Sequence, residues 1–140
     1  MEKVTYLTKR MILAIHQMSL EIFQQDINEV GMRPDQSLGF VERIVENEIF
    51  GEKIYQDCYE QAAAYMFYVI KNHCFIDGNK RTGLAIAVTF LELNGYYFPH
   101  LQEEDSYNFV MSVAGGPNNP EIVIPEIAQW LKNISIPTPA

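Results

Sequence analysis

The sequence predicts an all-α protein: a compact bundle of about six helices, with one buried central helix and a short flap. Three observations carry this. Apolar residues recur three and four positions apart along most of the chain, the period of a helix with one buried face. Gly, Pro and Asn gather at a few points between those stretches. The 140 residues are 48% hydrophobic, 20% charged and 12% aromatic, which excludes a disordered chain. A chain of this size buries roughly 70% of its unfolded surface, so one domain over residues 1–140 is expected, with residues 135–140 as a frayed tail.

The first helix runs from Thr8, a suitable N-cap, to about Ile27, with Met11, Ile12, Ile15, Met18, Leu20, Ile22 and Phe23 on a broad apolar stripe. Gly31 to Asp35, with Pro34, reads as a loop. Ser37 caps a second helix whose face is Leu38, Val41, Ile44, Val45 and Ile49, with Gly51 as the C′ residue that stops it. Glu52 to Asp57 is short and polar and suits a flap. Tyr59 to Asn72 forms a third helix, and the run Ala62-Ala63-Ala64 suggests close helix packing. His73 to Lys80 interrupts the pattern, because Gly78 and Asn79 both tolerate unusual backbone angles. Arg81 to Asn94 is apolar nearly all round and is therefore expected to be the central helix, closed by Gly95.

Tyr96 to His100 is a link. Glu103, Glu104 and Asp105 suit the positive end of a fifth helix, which reaches about Ala114 and stops at Gly115-Gly116. Pro125 fits the first turn of a last helix through about Lys132. Met11, Met18 and Met66 read as core, His16 as surface or boundary, His100 as solvated. Tyr55, Tyr59, Tyr65 and Tyr68 read as packing between helices.

The formal net charge is −8, and no Lys or Arg falls between Thr82 and Leu131. Such a surface repels phosphate backbones, so bulk nucleic-acid binding is disfavoured. No apolar run approaches 18 residues, so no membrane span is expected. The N-terminus lacks the apolar core and cleavage site of a signal peptide, and a cytoplasmic protein is expected. Cys58 and Cys74 suit reduced thiols, and no Cys/His cluster has zinc spacing. Lys71, Lys80 and Arg81 fall within eleven positions, a local positive focus that suits a small anionic ligand.

The chemistry lies in His73-Cys74-Phe75-Ile76-Asp77-Gly78-Asn79-Lys80-Arg81. This segment leads into a helix N-terminus, where unpaired N–H donors and the dipole favour phosphate. Gly78 lets the backbone approach an anion, and Asn79 can turn the chain and donate hydrogen bonds. Lys80 and Arg81 add charge at the same point, the guanidinium in a fork that matches phosphate oxygens. Asp77 is a candidate Mg²⁺ ligand, since Mg²⁺ favours one or two carboxylates plus substrate phosphates. His73 could take a proton from an attacking hydroxyl. Base, metal ligand and phosphate anchor within one segment point to phosphoryl or nucleotidyl transfer.

The segment resembles the signature of the Fic/Doc family, H-x-F-x-[D/E]-G-N-[G/K]-R, and matches at His73, Phe75, Asp77, Gly78, Asn79, Lys80 and Arg81. The likeness to the death-on-curing (Doc) branch runs through KNHCFIDGNKRTGLAIAVTFLELNGYYF, Lys71 to Phe98, and the layout upstream is also similar. The resemblance implies a Fic/Doc-type helical bundle. It implies that His73 is the catalytic base, that Asp77 helps to hold Mg²⁺ and that Gly78 and Asn79 form the anion-binding turn. Arg81 would bind nucleotide phosphates, and Phe75 would anchor the loop.

Lys80 separates the branches. Most Fic members resemble HPFxxGNGRxxR and transfer AMP to a target hydroxyl. Here Lys80 stands where they have Gly, and Leu84 where they have a second arginine, and both are Doc-like. A lysine fills the room beside the phosphates and adds charge, which favours a reversed ATP with its γ-phosphate at the hydroxyl. The resemblance then implies an ATP-dependent, Mg²⁺-requiring protein kinase, a toxin that halts translation by modifying a threonine of elongation factor Tu. AMP transfer and an inactive binding module are the competing readings. The inhibitory pattern [S/T]-x-x-x-E-[G/N] is absent, so restraint is expected from a separate antitoxin chain whose disordered segment folds into a groove.

Overall fold

The computed structural model describes residues 3–22, 38–46, 48–49, 52–72 and 79–139. They form six helices in chain order: α1 (Lys9–Ile22), α2 (Leu38–Glu46), α3 (Cys58–Lys71), α4 (Asn79–Leu93), α5 (Glu103–Gly115) and α6 (Pro120–Ile134). Two short antiparallel strand pairs join them: β1 (Glu48–Ile49) with β2 (Glu52–Lys53), and β3 (Tyr96–Tyr97) with β4 (Ile136–Pro137). The all-α expectation holds.

Three of the helix starts have a local cause in a side-chain cap. The Thr8 Oγ1 accepts the Met11 N–H at 3.2 Å, which makes Thr8 the N-cap of α1. The Asp57 carboxylate does the same for α3, accepting the Glu60 N–H at 2.8 Å. Asn119 caps α6 and Pro120 follows at its first position. The last helix therefore starts at Pro120 rather than Pro125. Pro125 lies inside it on the exposed side, at the loss of one backbone bond.

The second helix ends at Glu46, and Ile49 belongs to the β1–β2 hairpin instead. That hairpin opens the expected flap, which begins earlier than Glu52. Ser37, Gly51, Phe23, Ile27 and the Gly31–Asp35 loop lie outside the described residues.

The most enclosed helix is α3, not α4. Nine of its fourteen residues are buried, including Ala62, Ala63, Ala64, Tyr65, Met66 and Phe67. It lies against α4 on one side and α6 on the other, with α2 and α5 also touching it. The alanines explain this, because small side chains let neighbouring backbones close in. Along α4 one face is buried through Thr82, Gly83, Ile86, Ala87, Phe90 and Leu91, while Glu92 and Leu93 are exposed. α6 presents Val123, Ile124, Ile127, Ala128 and Leu131 inward, spaced three and four apart.

The contact between α3 and α4 sets the site. A Cβ at Gly83 would stand 2.8 Å from Ile70 Cγ1 and 3.3 Å from the Met66 carbonyl oxygen. Further along, the Phe90 and Tyr65 rings lie 5.2 Å apart. Positions climb α4 as they descend α3, so the two helices form an antiparallel hairpin. The segment 73–78 connects their adjacent ends.

Three further expectations change. Residues 135–139 do not fray: Tyr96 pairs with Pro137, Tyr97 pairs with Ile136, and the Thr138 N–H donates to the Gly95 carbonyl at 2.7 Å. His16 is fully buried, because it sits one turn from the buried Ile12 on the same face. Met18 is 60% exposed, falling on the other side of α1, whereas Met66 is core and Met11 packs at its edge. The tyrosines pack as expected: Tyr65 is buried and accepts the Leu7 N–H at 3.2 Å, and the Tyr59 and Tyr96 rings lie 4.9 Å apart. Gly95, at φ +95°, closes α4 in the left-handed region. His100 is exposed.

Candidate active site

Of the predicted site residues, the structure places Asn79, Lys80 and Arg81. They form the first turn of α4. His73, Asp77 and Gly78 lie outside the described residues, as do Cys74 and Phe75. Asn72, the last described residue before them, is the C-cap of α3 at φ −87°, ψ −3°, and its N–H donates to the Tyr68 carbonyl at 3.0 Å. The segment therefore leaves from a fixed helix end and re-enters at the start of another.

The electrostatics of that start suit an anion. No acidic residue lies in the first turn of α4. Lys80 and Arg81, both exposed, add positive charge at that end of the helix dipole. Thr82 follows them, fully buried, and its Oγ1 has no hydrogen-bond partner among the described residues. Composition and motif gave no signal for that hydroxyl. Leu84 is half-buried and packs against the core, so that position takes part in packing rather than in binding phosphate.

Lys71 departs from expectation. In the sequence it falls with Lys80 and Arg81 in a positive focus. Its ammonium instead donates to the Ala114 carbonyl at 3.1 Å and the Gly116 carbonyl at 2.7 Å, at the end of α5. Charge in the sequence gives no direction, and a long side chain can be turned away from its neighbours.

The flap is tied down in the same manner. The Lys53 Nζ donates to the Glu46 carbonyl at 3.1 Å and lies 4.9 Å from the Tyr6 ring centroid. The Tyr55 and Tyr68 hydroxyls share a hydrogen bond at 3.1 Å. Burial, then the Tyr68 hydroxyl, push the Tyr55 phenol well above its ordinary range. Burial does the same to Tyr65, opposed by the Leu7 N–H that would stabilise a phenolate. Neither phenol ionises near neutrality, so neither is a candidate base.

A cavity of about 390 Å³ lies between the start of α3 and α6, lined by Tyr59, Glu60, Pro120, Ile124 and Ala128 among others. It is at the opposite end of α3 from the motif, roughly 20 Å along a helix of that length. Among the described residues no cluster of His, Cys, Asp and Glu could by itself hold a metal ion. Cys58 is half-buried and forms no disulfide. No described helix is long and apolar enough to cross a membrane.

The α3–α4 hairpin sets the exposed Lys80 and Arg81 at a helix start, where the His73-to-Arg81 signature segment ends. Residues 6–91 match the model of the Fic/DOC family, and the chain belongs to that family. The matched stretch ends at Leu91, within α4, and so takes in all of α3 and all but the last two residues of α4. Fic/DOC proteins are transferases. The chain is also similar to a protein named Toxin Doc from Mycolicibacterium smegmatis (strain ATCC 700084 / mc(2)155), at 43% identity over 47 residues. That alignment takes in 34% of this chain, and the chain spans only 36% of the length of this curated relative.

Proposed function

We propose that this protein is a Doc-like toxin of the cytoplasm, an ATP-dependent kinase that phosphorylates a hydroxyl of a target protein. The observation that carries the reading is the start of α4. Lys80 and Arg81 are both exposed there, while Leu84, where AMP-transferring members have a second arginine, packs against the core. The likeness to Toxin Doc supports the same branch.

The chemistry follows from the residues. Gly78, Asn79, Lys80 and Arg81 hold the phosphates of ATP. His73 takes the proton from the target hydroxyl as its oxygen attacks the γ-phosphorus, and ADP leaves. One carboxylate, Asp77, beside two phosphates is a donor set that fits Mg²⁺, which would offset charge on the phosphates when bound. A threonine of elongation factor Tu is the target we favour, and its modification would block translation. Restraint falls to a separate antitoxin chain. Nucleic acid and membrane are not partners in this reading.

The test is to incubate the protein with a cell lysate and ATP labelled on either the α- or the γ-phosphate. Label entering protein from the γ position alone is expected. Label from the α position would mean AMP transfer and overturn the role given to Lys80. Label from neither would favour a binding module.

A further inference from the structure

We propose that Lys71 is a positioning residue for the transfer reaction: it holds the end of α3, and with it the departure point of the His73 segment, against the C-terminus of α5. This rests on the reading of residues 73–81 as the transfer site. The Lys71 Nζ donates to two carbonyls, Gly116 at 2.7 Å and Ala114 at 3.1 Å. α5 has no basic residue in its own last turn, so the cation that its terminal carbonyls favour comes from α3. The contact is half-buried and charge-assisted, which makes it stronger than an exposed neutral pair.

Lys71 is the last residue of α3 and stands two positions before His73. A shift of that turn moves the point from which the His73 segment leaves α3. Transfer is steep in distance: a misplacement of about 1 Å can cost about a hundredfold in rate. The α5 side of the contact can be altered separately. A Cβ at Gly116 would stand 2.8 Å from the Ser112 carbonyl oxygen, so Gly116→Ala must displace the turn that carries the acceptor. The backbone there, at φ −87°, accepts an alanine otherwise.

The experiment compares Lys71→Met, Lys71→Arg, Gly116→Ala and the double variant Lys71→Met/Gly116→Ala in steady-state transfer with the full chain. Lys71→Met is expected to lower kcat about tenfold with KM for ATP changed less than about twofold, while Lys71→Arg, which can still bridge the carbonyls, stays within about threefold. Gly116→Ala should reproduce the loss. The double variant should be no worse than either single one, since both cut one contact. An unchanged kcat in Lys71→Met overturns the proposal, as does a double loss equal to the product of the singles. If Lys71→Met does not fold, Gly116→Ala and Lys71→Arg decide by the same criteria.

If the wild type transfers nothing, the transfer reading fails and the clamp is judged by amide hydrogen exchange. Its loss should speed exchange at Asn72 and Gly116 about tenfold while leaving the α6 core unchanged. Equal exchange overturns the clamp itself.

Discussion

Replacing His73 with alanine is expected to lower phosphate transfer by about 10²- to 10⁴-fold, the contribution of a positioned general base. The neutral imidazole is the group in the segment suited to accept a proton near pH 7. Both raised tyrosines are excluded from that task by burial. ATP affinity should change little in the variant, because the phosphate anchors Asn79, Lys80 and Arg81 belong to the start of α4 and remain. Growth arrest on expression of the wild type should be relieved in parallel. If His73→Ala arrested growth as fully as the wild type, binding alone would explain the toxicity and the kinase reading would fail.

Gly83→Leu is expected to destabilise the fold by about 3 kcal/mol or more, the upper part of the range for overpacking a core. In thermal unfolding that is a fall on the order of 10 °C for a chain of this length. Gly83 is buried where α4 meets α3, and even a single Cβ would press on Ile70 at 2.8 Å and 3.1 Å and on the Met66 backbone at 3.3 Å. Ile70 is itself 2% exposed and has little room to yield. Gly83→Ala should be milder. It gains about 1 kcal/mol of helix propensity, which offsets part of the crowding. A Gly83→Leu variant with an unchanged midpoint would contradict the close approach of the two helices that frame the site.

The helices were legible because their cause is local. Thr8, the apolar spacing of α2 and α3 and the left-handed Gly95 all act within one or two turns. Where sequence reading failed, the cause was tertiary. Leu84, Ile86, Val88, Phe90, Leu91 and Leu93 make α4 apolar on several sides, but burial follows how closely neighbours can approach, and the small alanines of α3 admit helices on several sides. The C-terminal residues are held by Tyr96 and Tyr97, some forty positions away, and no local pattern marks such a pairing. Asn119-Pro120 is the start signal of α6, and Pro125 five positions on looks the same in sequence, because a proline inside a helix reads like one at its beginning. His16 and Met18 sit two positions apart on α1, one buried and one exposed.

The site divides in the same way. The signature segment was legible by its resemblance, and three of its members fall together at the start of α4. Lys71 was not, because its bonds run to carbonyls on a helix that no spacing rule connects with it. The buried Thr82 hydroxyl beside the cationic turn also had no sequence signal, since a threonine in the first turn of a helix is ordinary.

The central claim is that the His73-to-Arg81 segment transfers the γ-phosphate of ATP to a protein hydroxyl. Intact-mass measurement of elongation factor Tu tests it most directly, after incubation with the protein, ATP and Mg²⁺ and with His73→Ala as the control. The account predicts a gain of one phosphate that is absent with the control. A gain of one AMP, or a phosphate gained equally with His73→Ala, would contradict it.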